Sequence, residues 1–211
     1  MSHRGLEIGV RFLALGDSYT IGEGVAEAER WPAQLAQRLR DRGVDVDELT
    51  IIAQTGWTTA ELAAAVERET PAGVYDLVSL LIGVNNQYRG LDQESYRQEF
   101  AALLAQAIAF AGGDPGRVIV LSIPDWGVTP FAAEQNRPAD QVTAEIDAFN
   151  DINREEAARG GVHYVDVTAM SRRAGADLSW LAEDGLHPSA KMYREWAKST
   201  LPTAYQVLNG D

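Results

Sequence analysis

Short apolar runs alternate along the chain with longer stretches of helical periodicity. Residues 10–15, apolar apart from Arg11, have the length and character of a buried strand. A Gly-rich turn follows. From Trp31 onward Leu35, Ala36 and Leu39 recur at helical spacing, with Pro32 suited to a first helical position and Gly43 as a stop. Residues 49–53 form a second strand pattern. Thr58-Thr59-Ala60-Glu61-Leu62 opens a capped helix that runs to about Thr70, before the breaker Pro71-Ala72-Gly73. Residues 75–83 are apolar enough for a central strand. Residues 91–112 hold Tyr96, Phe100, Leu103, Leu104 and Ala107 on one helical face. Residues 117–123 are a fourth strand, and Pro124, Gly127, Pro130 and Pro138 mark 124–140 as a loop. Residues 142–159 are helical, with Ile146, Phe149 and Ile152 inward. Residues 162–167 alternate as a fifth strand, 178–185 are irregular, and 189–207 form a last helix.

Strands alternating with helices predict an α/β fold, a parallel sheet covered on both faces. Right-handed crossovers and a switch point beside the first strand favour a flavodoxin-like three-layer sandwich, its five strands in the order 2-1-3-4-5. One domain over residues 1–211 is the expectation at this length, with no repeat or linker to divide it.

That order makes the carboxyl ends of the first three strands neighbours, at the sheet edge where ligands bind in open α/β folds. The first strand runs into Gly16-Asp17-Ser18-Tyr19-Thr20, the second into Gln54-Thr55-Gly56-Trp57, the third into Gly83-Val84-Asn85-Asn86-Gln87. A hydroxyl at Ser18 suits a nucleophile if a base reaches it. Taken alone, a Ser in such a turn is usually a helix cap or turn former. Phosphate binding finds no support: Gly22-x-Gly24 continues into Val25-Ala26-Glu27, and no G-x-x-x-x-G-K-[ST] occurs. Near the other end stands Asp184-Gly185-Leu186-His187-Pro188. A carboxylate three residues before a His can share a turn with it and hold the imidazole through Nδ1, leaving the other nitrogen to take a proton from Ser18.

These four segments, in this order over residues 16–188, resemble the four blocks of the GDSL, or SGNH, hydrolases. Tyr19 stands where Leu is common, and Asn86 where Asp is usual, which puts in question any hydrogen bond accepted by that carboxylate. Ala53 and Gln54 stand where Asn often precedes the second-block glycine. The resemblance implies Ser18 as nucleophile, His187 as general base and Asp184 as its orienting carboxylate. It implies an oxyanion hole made of the Ser18 N–H, the Gly56 N–H and the Asn85 amide, with no metal and no organic cofactor. The implied activity is hydrolysis of carboxylic esters through an acyl-enzyme. Nothing in the chain marks a long apolar tunnel or an amphipathic basic helix, so short acyl groups, acetyl to butyryl, are the expectation. Carbohydrate O-deacetylation, thioester cleavage and lysophospholipid cleavage stand as alternatives within the family. A non-catalytic binding protein on the same fold is the alternative of a different class.

Composition narrows the partners further. A net charge of −13 disfavours nucleic acid and anionic membrane surfaces, leaving a small-molecule ester as the expected partner. The absence of cysteine removes disulfides, thiolate metal sites and a Cys nucleophile. No apolar run approaches a membrane span, and the first residues lack a signal-peptide core, so a cytoplasmic location without stable membrane insertion is the expectation. Other residues carry structural expectations: His163 as a strand histidine, His3 in a mobile terminus, Asp17 as a brace of its turn. Glu23, Glu27 and Glu29 read as solvated charges, and Trp57, Trp126, Val128 and Phe131 as apolar contacts beside the site.

Overall fold

A computed structural model describes residues 9–210; the first-terminus readings, His3 included, fall outside them. Five parallel strands, β1 (Val10–Gly16), β2 (Val46–Ala53), β3 (Leu77–Leu81), β4 (Val118–Leu121) and β5 (His163–Val165), lie in the expected order β2-β1-β3-β4-β5. In β1, Phe12, Leu13, Ala14 and Leu15 are wholly buried, as befits a strand covered by helices on both faces. On one face α2 (Trp31–Arg40) packs against α9 (Ala190–Asn209). On the other, α5 (Gln93–Phe110) lies between α3 (Thr59–Glu69) and α7 (Ala139–Gly160).

β2 begins three residues before the apolar pattern does. It is an edge strand, and Glu48 on it pairs with Arg11 of β1 at 2.7 Å, so polar residues are accommodated there. β3, β4 and β5 are shorter than their apolar runs. Ser122, just past β4, spends its Oγ on the N–H groups of Val167 and Thr168 at 2.8 and 3.1 Å, which ends the ladder with β5.

The stretch 124–140 is not a plain loop. Asp125 accepts the Gly127 N–H and starts a 3-10 turn (Trp126–Val128); Pro130 then opens α6 (Pro130–Glu134), and α7 starts before residue 142. Proline at a first helical position loses no hydrogen bond, so there it marks a helix start as readily as a break. Three one-turn helices also lie outside the periodic pattern: α1 (Ser18–Ile21), α4 (Val84–Tyr88) and α8 (Thr168–Ser171). Two of them follow directly on the ends of β1 and β3.

Candidate active site

Gly16, the last residue of β1, is in register with Ala53 of β2 and Leu81 of β3, so three strand ends meet there. A Cβ on Gly16 would lie 2.2 Å from Thr20 Oγ1 and 2.5 Å from the Leu81 carbonyl oxygen; only glycine lets the turn fold back this tightly. Asp17 caps α1 by accepting the Tyr19 N–H at 3.0 Å, the bracing role expected of it. Its carboxyl is wholly buried, and burial pushes it up to about 7 against the pull of the Tyr19 N–H. Ser18 thus opens α1, with its carbonyl accepting from the Gly22 and Glu23 N–H groups at 3.0 Å each. Its own N–H meets no acceptor among the described residues.

Beside Ser18, α4 pins the loop that follows β2. Asn85 Nδ2 donates to the Trp57 carbonyl at 2.9 Å, and Arg89 Nη2 donates to the Gly56 carbonyl at 2.6 Å. Gly56 holds φ at +88°, and a Cβ on it would meet nothing within 4 Å. The glycine is therefore required by its backbone conformation, not by close contact in the free protein. The Gly56 N–H, like that of Ser18, meets no acceptor among the described residues.

The substitution at Asn86 has a physical explanation. Asn86 is buried; its Oδ1 accepts the Thr59 N–H at 3.1 Å, and its Nδ2 donates to Thr59 Oγ1 at 2.7 Å. The Thr59 hydroxyl passes its own hydrogen to the Glu99 carboxylate. The acceptor needed by the backbone is kept, and a donor replaces what would have been a second carboxylate on one hydroxyl.

On the opposite side, the segment before α9 forms a hairpin tied by the Leu181–Pro188 bridge and by the Ala182 N–H to the His187 carbonyl at 2.7 Å. Asp184 at its tip accepts three hydrogens: from the N–H groups of Leu186 and His187, both at 2.9 Å, and from His187 Nδ1 at 2.6 Å. Partial burial works against its charge, but these bonds prevail and hold the carboxyl below its ordinary value. A carboxylate accepts only, so Nδ1 carries the hydrogen and Nε2 is left for other work. Tyr19 packs against the imidazole at 5.7 Å between ring centroids.

Ser18, Gly56, Asn85 and His187 all line one cavity of about 170 Å³, with Asp184 behind the imidazole. Ser18 and His187 form no hydrogen bond with each other; such bonds in free sites are often long and close on substrate binding. Trp126 and Phe131 line the cavity as expected. Val128 does not, packing instead beside Gly175, and Trp57 contributes its carbonyl to the site rather than a wall. Tyr19, noted above for its place in the first block, completes the lining with Thr55, Val84, Tyr88 and Leu186, to which the sequence assigns no role. Their signal was adjacency, since each lies within three residues of a candidate group. His163 stays outside, bonding the Gly116 carbonyl at 3.1 Å. Among the described residues no group of three or more His, Asp or Glu side chains could hold a metal ion.

The sequence profile of the GDSL-like lipase/acylhydrolase family matches residues 14–195, a span that holds all of these groups. The chain belongs to this family. It is accordingly a GDSL-type esterase, a hydrolase acting on ester bonds. Among curated proteins, Esterase TesA of Pseudomonas aeruginosa is 25% identical over 202 residues, covering 93% of this chain and 88% of that one. A crystal structure of TesA superposes with a TM-score of 0.70 at 24% identity, over 94% of this chain and 99% of that one. An acetylxylan esterase from Geobacillus stearothermophilus shares the fold with a TM-score of 0.71 at 18% identity, over 94% and 96% of the two chains. No helix among the described residues is long and apolar enough to cross a membrane.

Proposed function

We propose that the protein hydrolyses carboxylic esters of short acyl groups by a serine mechanism. One observation carries the reading: Ser18, Gly56, Asn85 and His187 share a single cavity, and the His187 imidazole is held from behind by Asp184 at 2.6 Å. Ser18 Oγ attacks the ester carbonyl while His187 Nε2 takes its proton. The negative oxygen of the tetrahedral intermediate is met by the Ser18 and Gly56 N–H groups and by the second hydrogen of the Asn85 amide. His187 then returns the proton to the departing alkoxide, leaving the acyl group on Ser18. Water, activated by the same imidazole, releases the acid. Asp184 fixes the tautomer and stabilises the imidazolium that forms in each half-reaction.

The small cavity and its apolar wall of Val84, Tyr88, Trp126, Phe131 and Leu186 support short acyl groups, acetyl to butyryl. Each further buried methylene is worth about 0.8 kcal/mol only where a pocket exists to bury it. The partly exposed ring of Tyr88 at this wall favours a second reading, removal of acetyl groups from sugars, whose faces stack on aromatic rings. Hydrolysis of acetyl through dodecanoyl esters of one alcohol, and of acetylated sugars, tests both. Efficiency that peaks between acetyl and butyryl supports the reading; efficiency that climbs to dodecanoyl overturns it.

A further inference from the structure

Behind the cavity wall lies a buried polar contact that takes no part in the steps above. Gln87, on α4 two residues beyond Asn85, is 2% exposed, and so is Trp126. Gln87 Oε1 accepts the indole Nε1–H of Trp126 at 2.8 Å, and its Nε2 donates to Glu145 of α7 at 2.5 Å. Glu145 is itself held by Arg137 at 2.8 Å and Gln141 at 2.7 Å. The Arg137 guanidinium also lies 5.6 Å from the Trp126 ring centroid. Tyr88 and Phe131 meet the same ring in edge contacts, at 5.4 and 5.9 Å.

A primary amide buried in an apolar wall is costly unless both its ends are paired. Here both are paired, and what they immobilise is the largest ring of the cavity lining. Trp126 cannot turn away without leaving a buried amide oxygen and a buried indole N–H unpaired. In ester cleavage at Ser18 the alcohol departs and water replaces it, while the acyl group is the part retained on Ser18. Trp126 lines the same cavity as Ser18, where a wall held in place limits the acyl group that fits.

We propose that Gln87 is a specificity-determining positioning residue: through the Trp126 indole it fixes the end wall of the acyl pocket and so limits the enzyme to short acyl groups. This rests on the serine-esterase reading above. Gln87→Met and Trp126→Phe break the same hydrogen bond from opposite ends. For each, and for the pair together, kcat/KM is measured on acetyl, butyryl, hexanoyl and octanoyl esters of one alcohol, and on acetyl esters of several alcohols. Thermal midpoints and labelling of Ser18 by a small fluorophosphonate are recorded alongside. The hexanoyl-to-acetyl ratio rises about tenfold in each variant, and the double variant matches the larger single effect, because one bond is removed in all three. A lower midpoint with an unmoved ratio, or a change confined to the alcohol series, overturns the role of Gln87. If Gln87→Met does not fold, Gln87→Leu, which removes the same hydrogen bond and leaves Trp126 intact, decides in its place. Wild-type protein that neither labels nor hydrolyses overturns both readings; active, labelled wild type with unmoved ratios overturns this one only.

Discussion

Replacing Asn85 by Ala removes an amide with one observed task and one proposed. One hydrogen of Asn85 Nδ2 holds the Trp57 carbonyl at 2.9 Å and so steadies the loop that carries Gly56. In the proposed mechanism the other meets the oxyanion. Loss of one oxyanion donor costs about 2.7–4 kcal/mol in the transition state, about 10²–10³ in kcat. Loss of the neutral bond to Trp57 costs about 0.5–1.5 kcal/mol of stability. The two effects appear in different assays: turnover and KM on an acetyl ester for the first, urea denaturation for the second. The expected pattern is a large fall in kcat, a KM little changed and a small drop in midpoint. A folded variant within about tenfold of wild-type kcat, or one whose whole loss lies in KM, would refute the assignment.

Further expectations concern the base, the buried carboxyl and the block-three substitution. His187→Ala should lose about as much activity as Ser18→Ala, and the double variant little more, since the pair acts as a unit; additive losses, measured by turnover, would contradict this. Asp17 holds its proton up to about 7 in the folded chain against 3.8 in the reference state, so its contribution to stability is fullest below the lower value. That contribution is lost as pH rises through the upper value, about 4 kcal/mol over the whole window. Asp17→Asn keeps an acceptor for the Tyr19 N–H and should abolish this dependence in denaturation at pH 5 and pH 8; an unchanged dependence would show that Asp17 is not its source. Asn86→Asp sets a second carboxylate beside the hydroxyl already bound by Glu99 and should destabilise by about 1–3 kcal/mol at pH 7, less where the new carboxyl is protonated. Equal stability of the two proteins at pH 7 would refute that.

How much was legible in the sequence follows from how each feature is built. The apolar runs of β1 and β3 announce themselves because both faces of those strands are covered. The first half of β2 is hidden because an edge strand accommodates Asp47 and Glu48. The one-turn helices α1 and α4 are too short to show a period; each is set by what stands at its head, the Asp17 cap or Gly83 at φ +126°. α6 is hard to read because Pro130 breaks a preceding element as readily as it opens the next helix. The Asp184–His187 contact was readable since three residues of spacing bring the groups together within one turn. The indole of Trp126 and the amide of Gln87 meet across 39 residues of chain, and no local pattern marks such a pair. The same holds for Arg89 and Gly56, joined only when α4 settles against the loop after β2.

The central claim, that Ser18 is a nucleophile activated by His187, meets its most direct test in mass spectrometry of the protein treated with a small fluorophosphonate. The account predicts a single adduct, on the peptide bearing Ser18, absent in Ser18→Ala and formed far more slowly in His187→Ala, with ester hydrolysis lost in step. An adduct on another residue, or a Ser18→Ala protein that keeps more than about a tenth of wild-type turnover, would contradict it.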